Sequence, residues 1–186
     1  FNWAYKINMK LEIHSEKFND VLISHGVNFE DERGAFKKVI FGDELMNLMG
    51  SIYELMTVKS KKNVIRGLHF QKTPHPVSKF ITCTKGEILD VFLDIRQDSD
   101  NYGEYGIFKL NEKDSSGIFI PEGYAHGYSV ISDEAIVVYL QSDNYFEDLD
   151  GSINPTSIDI DWEVKNPIIS KKDQDAIKFE KFKTCF

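Results

Sequence analysis

Apolar and polar residues alternate over short stretches of this chain, and that texture predicts strands. Between residues 86 and 96, Leu89, Val91, Leu93 and Ile95 fall on one face, while Asp90, Phe92 and Asp94 fall on the other. That is the period of a half-buried strand. Residues 77–84 read as a preceding strand, joined to it by a tight turn at Thr84-Lys-Gly-Glu87. Residues 52–58, 64–70, 106–110, 117–120, 128–131 and 135–141 are further strand candidates, separated by turn-rich pieces at 98–103, 111–116 and 121–123. Many short strands at this spacing predict an all-β sandwich, jelly roll or barrel. Helix is expected only at 43–49 and at 171–182, the second capped by Ser170. No internal repeat, low-complexity tract or linker interrupts the pattern, so residues 1–186 are expected to form one domain.

Composition narrows the classes of function. The 186 residues suffice for a substantial core, and fourteen Phe with eight Tyr suit pleated, half-buried surfaces. A formal net charge of -8 argues against nucleic-acid binding, which demands a basic face. Cys83 and Cys185 are too few and too far apart for a disulfide framework or a zinc or redox pair. Residues 1–10 lack a cationic stretch followed by a long apolar run, and no segment approaches the ~20 apolar residues of a membrane span. The expected setting is cytoplasmic.

Few side chains are candidates for chemistry. His69 lies in Arg66-Gly-Leu-His-Phe-Gln71 and His126 in Pro121-Glu-Gly-Tyr-Ala-His-Gly127; Lys79, Tyr139 and Asp173 complete the set. Alone, each has a plainer reading. A histidine on a strand is usually packed or solvated, Lys79 belongs to a solvated face, and Tyr139 sits in the apolar run Ile136-Val-Val-Tyr-Leu140. Asp173, three residues after Ser170, is the acidic member of a helix capping box. A metal site is not expected: Phe70 and Gln71 follow His69 where a second ligating histidine would stand, and His75 is set between two prolines. No glycine-rich phosphate loop is present, which disfavours a nicotinamide or ATP site.

Several motifs, taken together, carry a resemblance. Arg66-Gly-Leu-His-Phe-Gln71, Lys85-Gly-Glu-Ile-Leu-Asp-Val-Phe-Leu-Asp-Ile-Arg96, Ile120-Pro-Glu-Gly-Tyr-Ala-His-Gly127 and Ile160-Asp-Trp162 resemble the signatures of the dTDP-4-dehydrorhamnose 3,5-epimerase family. Asp31-Glu-Arg-Gly34 and Ser170-Lys-Lys-Asp173 stand in the family's order, and the resemblance spans about 18–175. It implies a cupin-like jelly-roll barrel with a few short helices, a homodimer, and cofactor-free epimerisation of a nucleotide-linked 4-keto-6-deoxy sugar. His69 is then the general base, Asp173 its orienting carboxylate, Tyr139 the acid on the opposite face and Lys79 the cation near the ketone oxygen. Arg33 and Arg66 would hold the pyrophosphate, His126 would line the pocket, and Phe36, Lys38, Glu54, Gln71 and Tyr145 would join the substrate-binding set.

Elementary chemistry agrees with these roles. A proton beside a ketone leaves readily only when the enolate charge is stabilised as it forms. An imidazole with an unperturbed pKa of ~6.5 suits a base, and a phenol at ~10 is protonated and ready to donate. Two rivals are an inactive nucleotide-sugar-binding cupin, which predicts loss of His69, Tyr139 or Asp173, and a sugar 3,4-ketoisomerase, which predicts a second histidine at Phe70 or Gln71. The sequence departs from the family at Lys38, where an acidic residue is usual, and at Glu54 and Met56, which replace Gln and Asn. An ammonium at Lys38 has donors only, which would suit the acceptor edge of cytosine or guanine over the imino N–H of thymine; the plainer reading is that Lys38 faces solvent.

Overall fold

A computed structural model describes residues 10–186; apart from Lys10, the stretch read for a leader lies outside the described residues. The first four strands are β1 (Lys10–Ile13), β2 (Leu22–His25), β3 (Val27–Asp31) and β4 (Gly34–Lys38), followed by helix α1 (Gly42–Met49). The central run is β5 (Glu54–Lys61), β6 (Val64–Gln71), β7 (Lys79–Lys85), β8 (Glu87–Asp94) and β9 (Tyr105–Asn111). It continues through β10 (Ser116–Ile120), β11 (Tyr124–Val130) and β12 (Glu134–Gln141). The chain closes with β13 (Asp150–Ser152), β14 (Ile168–Ile169) and helix α2 (Lys171–Gln174). One sheet runs β1-β2-β10-β7-β12-β5 and a second runs β13-β6-β11-β8-β9, with β14 added in parallel to β6. The expected jelly roll is the architecture found. No described helix is long and apolar enough to cross a membrane.

Two apolar layers follow from the strand faces. Between the sheets, Ile81, Ile118 and Val137 meet Ile88, Phe92 and Tyr128. The outer face of the second sheet carries Leu68, Leu89, Val91 and Leu93, covered by Ile160, Trp162 and the aromatic C-terminal stretch. So β8 is buried on both faces rather than half-buried as its alternation predicts. Its polar members Asp90 and Asp94 turn toward internal partners, His126 and Arg96.

Other expectations need correction. The strands before α1 were not foreseen, because their segments are short and largely polar. β11 begins at Tyr124, four residues earlier than expected, and β5 starts at Glu54 rather than at 52. The C-terminal helix expected over 171–182 stops at Gln174. Beyond it Ile177 bridges to Ile153, and Phe179 and Phe182 pack on the outer core. A straight helix could not bring all three to that surface, so packing overrides propensity.

One irregularity decides what faces the barrel interior. In the β6–β11 ladder His69 pairs with His126 but Arg66 pairs with Tyr128, so β6 carries one extra residue. Such a bulge re-phases the alternation of side chains. Arg66 and His69, three apart and on opposite faces of a regular strand, both line the interior. Gly67 sits at the bulge with φ +110, and a Cβ there would meet the His126 carbonyl oxygen at 2.6 Å and the Gly127 Cα at 2.7 Å. We predict that Gly67→Ala lowers folding stability by about 1–3 kcal/mol, read by urea unfolding; an unchanged midpoint would show that the bulge tolerates a side chain.

Candidate active site

A cavity of about 290 Å³ opens between β5, β7 and β12 of one sheet and β6 and β11 of the other. Its walls include His69, Arg66, Lys79, His126, Tyr139 and Tyr145. Sequence reasoning had singled out all six.

His69 is the open member of a long-range pair. Its Nε2 donates to Asp173 Oδ1 at 2.6 Å, across 104 positions of sequence. The histidine side chain keeps 37% exposure while the aspartate side chain keeps 4%, so a half-open imidazole is backed by a closed carboxylate. Burial opposes the charge on Asp173, but bonds from His69, the Ser170 hydroxyl and the Gly67 N–H hold it below its ordinary value. With Nε2–H donating to the carboxylate, the lone pair sits on Nδ1. The capping role expected of this segment is real as well: the Asp173 N–H donates to Ser170 Oγ at 3.1 Å. The backbone N–H caps the turn and the side chain serves the histidine, so the two readings of Asp173 coexist.

Lys79 donates from Nζ to the His69 carbonyl at 3.1 Å, which ties it to β6. Burial lowers its pKa to about 8, with Asp90 and Asp150 opposing the shift. Beneath it lies a second histidine–carboxylate pair, His126 Nε2 with Asp90 Oδ2 at 2.8 Å, both almost fully buried. Burial lowers the His126 imidazole and raises the Asp90 carboxyl, each partner opposing the other's shift. Tyr139 stands on the opposite sheet from His69 with its ring edge-on to His126, centroids 5.7 Å apart. Burial lifts its phenol well above the usual value, helped by Tyr128 and Asp90, so it stays protonated.

The remaining candidates sort by position. Arg66 Nε donates to Ser60 Oγ at 2.9 Å, and Ser60 also bonds the Tyr128 hydroxyl. Gln71 lines the cavity, yet its amide stitches the rim: Nε2 donates to the carbonyls of His75 and Asn144, and Oε1 accepts from the Phe146 N–H. Glu54 does similar work, accepting from the Tyr145 N–H at 2.8 Å and from Gln141 Nε2 at 3.2 Å. Arg33 and Phe36 lie on the β3–β4 hairpin, around a separate depression shared with Phe29 and Asp31. Lys38 rests its Nζ over the Phe41 ring, 5.0 Å from the centroid. These three are not brought to the cavity within one chain.

Sequence reasoning missed several groups. Asp90 was read as the polar face of a half-buried strand, and its spacing from His126 is invisible without the β8–β11 register. Lys172 and Asp150 line the mouth and bond one another, and the Tyr145 hydroxyl donates to Asp150 at 3.4 Å. The one available signal for Lys172 was its place beside Asp173. Among the described residues, no group of three or more His, Cys, Asp or Glu is arranged to hold a metal ion.

Comparison with known proteins adds an independent line. The family model described as dTDP-4-dehydrorhamnose 3,5-epimerase matches residues 15–181. The chain is 38% identical over 165 residues to the dTDP-4-dehydrorhamnose 3,5-epimerase of Shigella flexneri, covering 86% of this chain and 91% of the relative. It is 32% identical over 152 residues to the dTDP-4-dehydrorhamnose 3-epimerase of Streptomyces niveus, covering 79% and 73%. The fold matches the crystal structure of dTDP-6-deoxy-D-glucose-3,5-epimerase from Legionella pneumophila in complex with dTDP-4-keto-L-rhamnose, with a TM-score of 0.86. Identity is 27%, over 94% of this chain and 95% of that one.

The double use of Asp173 yields a stability test. Ser170→Ala removes the acceptor of its N–H and is expected to lower stability by about 1 kcal/mol, measured by urea denaturation. No loss would mean that packing and the backbone bonds of the turn suffice to hold it.

Proposed function

This chain belongs to the dTDP-4-dehydrorhamnose 3,5-epimerase family, and from that premise we propose how its cavity works. The enzyme is an isomerase that inverts C3, C5 or both of a nucleotide-linked 4-keto-6-deoxy sugar. His69 Nδ1 takes the proton from the carbon beside the ketone, and the C–H electron pair becomes the enolate double bond while charge moves to the oxygen. Lys79 stabilises that oxygen. Tyr139 gives its phenolic proton to the opposite face as the enolate collapses to the ketone, leaving a phenolate and a His69 imidazolium that exchange with water resets, and Asp173 holds the neutral imidazole in the Nε2–H tautomer for the next abstraction. The observation that carries this reading is the pairing of a carboxylate-backed histidine on one sheet with a buried phenol on the other.

At the mouth, Arg66 and Lys172 supply the positive charge for a pyrophosphate. The nucleotide is thymidine diphosphate, as in the names of the relatives. The seat of Lys38 over Phe41 gives a cytosine or guanine preference no support within one chain. The protein works as a cytoplasmic homodimer of one-domain chains. Tyr53, just before the edge strand β5, and Leu55 within it expose apolar area, as does Phe29 on the hairpin. Such surfaces are ordinarily covered by a partner. A second copy is also what would bring Arg33 and Phe36 to a cavity.

Two measurements test the mechanism. In heavy water, His69→Asn is expected to slow deuterium uptake beside the ketone by at least about 100-fold, while dTDP binding seen by calorimetry persists. Uptake at the wild-type rate would remove His69 as the base. The second concerns pH. Lys79, with a pKa lowered to about 8 by burial, carries its charge below that value and loses it above. Exchange should therefore fall as pH rises through about 8, roughly tenfold per unit. Lys79→Arg, charged at all these pH values, should shift that fall upward. An alkaline limb identical in both proteins would assign it to another group.

A further inference from the structure

The cavity walls differ in polarity. β6, β7, β11 and β12 each present nitrogen or oxygen groups to the interior, whereas β5 presents Met56 and Val58. Both sit on the inward row of β5: Met56 is the direct cross-strand partner of Tyr139, and Val58 of Val137. Directly opposed side chains on one sheet face lie about 5 Å apart at Cβ, so Met56 adjoins the proposed acid. Each is half-buried and faces the cavity.

On β5 itself the polar neighbour, Glu54, is turned to the rim. Both Glu54 carboxylate oxygens accept bonds, from the Tyr145 N–H and from Gln141 Nε2. The same Gln141 nitrogen lies 3.9 Å from the Met56 sulfur. A substrate hydroxyl set against Met56 and Val58 would lose its water without gaining a good partner, which is unfavourable. A methyl group there gains by burial.

Given the substrate class proposed above, on which this step rests, we propose that Met56 and Val58 form an alkyl subsite that receives the methyl group on C5 of the sugar. A 4-keto-6-deoxy hexose has one apolar substituent, and it is that methyl. The ring therefore docks with its C5–C6 edge toward β5 and its hydroxyl-bearing edge toward the polar walls. Met56 and Val58 are thereby specificity determinants that select sugars deoxygenated at C6.

The test compares deuterium uptake from heavy water into two nucleotide sugars, a dTDP-linked 4-keto-6-deoxy hexose and its 6-hydroxy counterpart, as a ratio of kcat/KM. A hydrophobic subsite discriminates against an added hydroxyl by about 10- to 100-fold, and the wild-type protein is expected to prefer the 6-deoxy sugar by that factor. Met56→Gln places an amide on the wall, and the near-isosteric Val58→Thr places a hydroxyl there with little change of shape. Each should narrow the preference by about tenfold, chiefly by accepting the 6-hydroxy sugar better. A ratio that stays within twofold of wild type in both variants, with exchange intact, overturns the alkyl subsite and leaves the epimerase reading standing. Absence of exchange from either sugar in the wild-type protein overturns both.

Discussion

Gly67 and Gly127 lie backbone against backbone where β6 crosses β11, with no room for a Cβ on Gly67. The site depends on that contact. It accommodates the extra residue of β6, and the extra residue turns both Arg66 and His69 toward the interior. In an unbroken ladder one of them would point into the outer core, among Leu89, Val91 and Trp162. That strand then becomes the reference for its neighbours. Asp173 reaches the His69 ring, Lys79 reaches the His69 carbonyl, and His126 pairs with His69 across the ladder.

Burial does the electrostatic tuning. Removing water disfavours whichever form of a group is charged, and the cavity uses this in opposite directions. It brings Lys79 down to about 8, so its ammonium sits close to its titration point. It drives the Tyr139 phenol up, so that group stays protonated. Asp173 escapes the trend because three donors surround it, and it stays an anion able to orient His69. The acidic chain as a whole therefore carries a site whose cations are local and individually placed.

Around this centre the rim is a set of side-chain-to-backbone bonds. Gln71 ties the segments around His75 and Asn144, Glu54 holds the Tyr145 backbone, and the His75 ring stacks on Phe146 at 4.5 Å. Residues that a motif comparison assigns to substrate thus also shape the mouth that admits it. Backbone polar groups in a loop beside a cavity need partners, and side chains from the strands below supply them.

Local periodicity was enough to find eight of the strands, the helix at 43–49 and the all-β class, because alternation and turn residues act over a few positions. The motifs singled out His69, Tyr139, Asp173 and Lys79, which the fold brings together around one cavity, since their residue types and order survive in one dimension. The short C-terminal helix was misjudged because Ile177, Phe179 and Phe182 answer to the outer core rather than to helix propensity. Asp90, Lys172 and the double duty of Asp173 could not be read either. Whether a carboxylate meets a histidine depends on the register of a ladder or on a contact 104 residues away. The sequence by itself determined which groups were available and which faces sought burial. Only the tertiary structure decided which of them share a cavity and in what protonation state, because long-range register and the exclusion of water are properties of the folded whole.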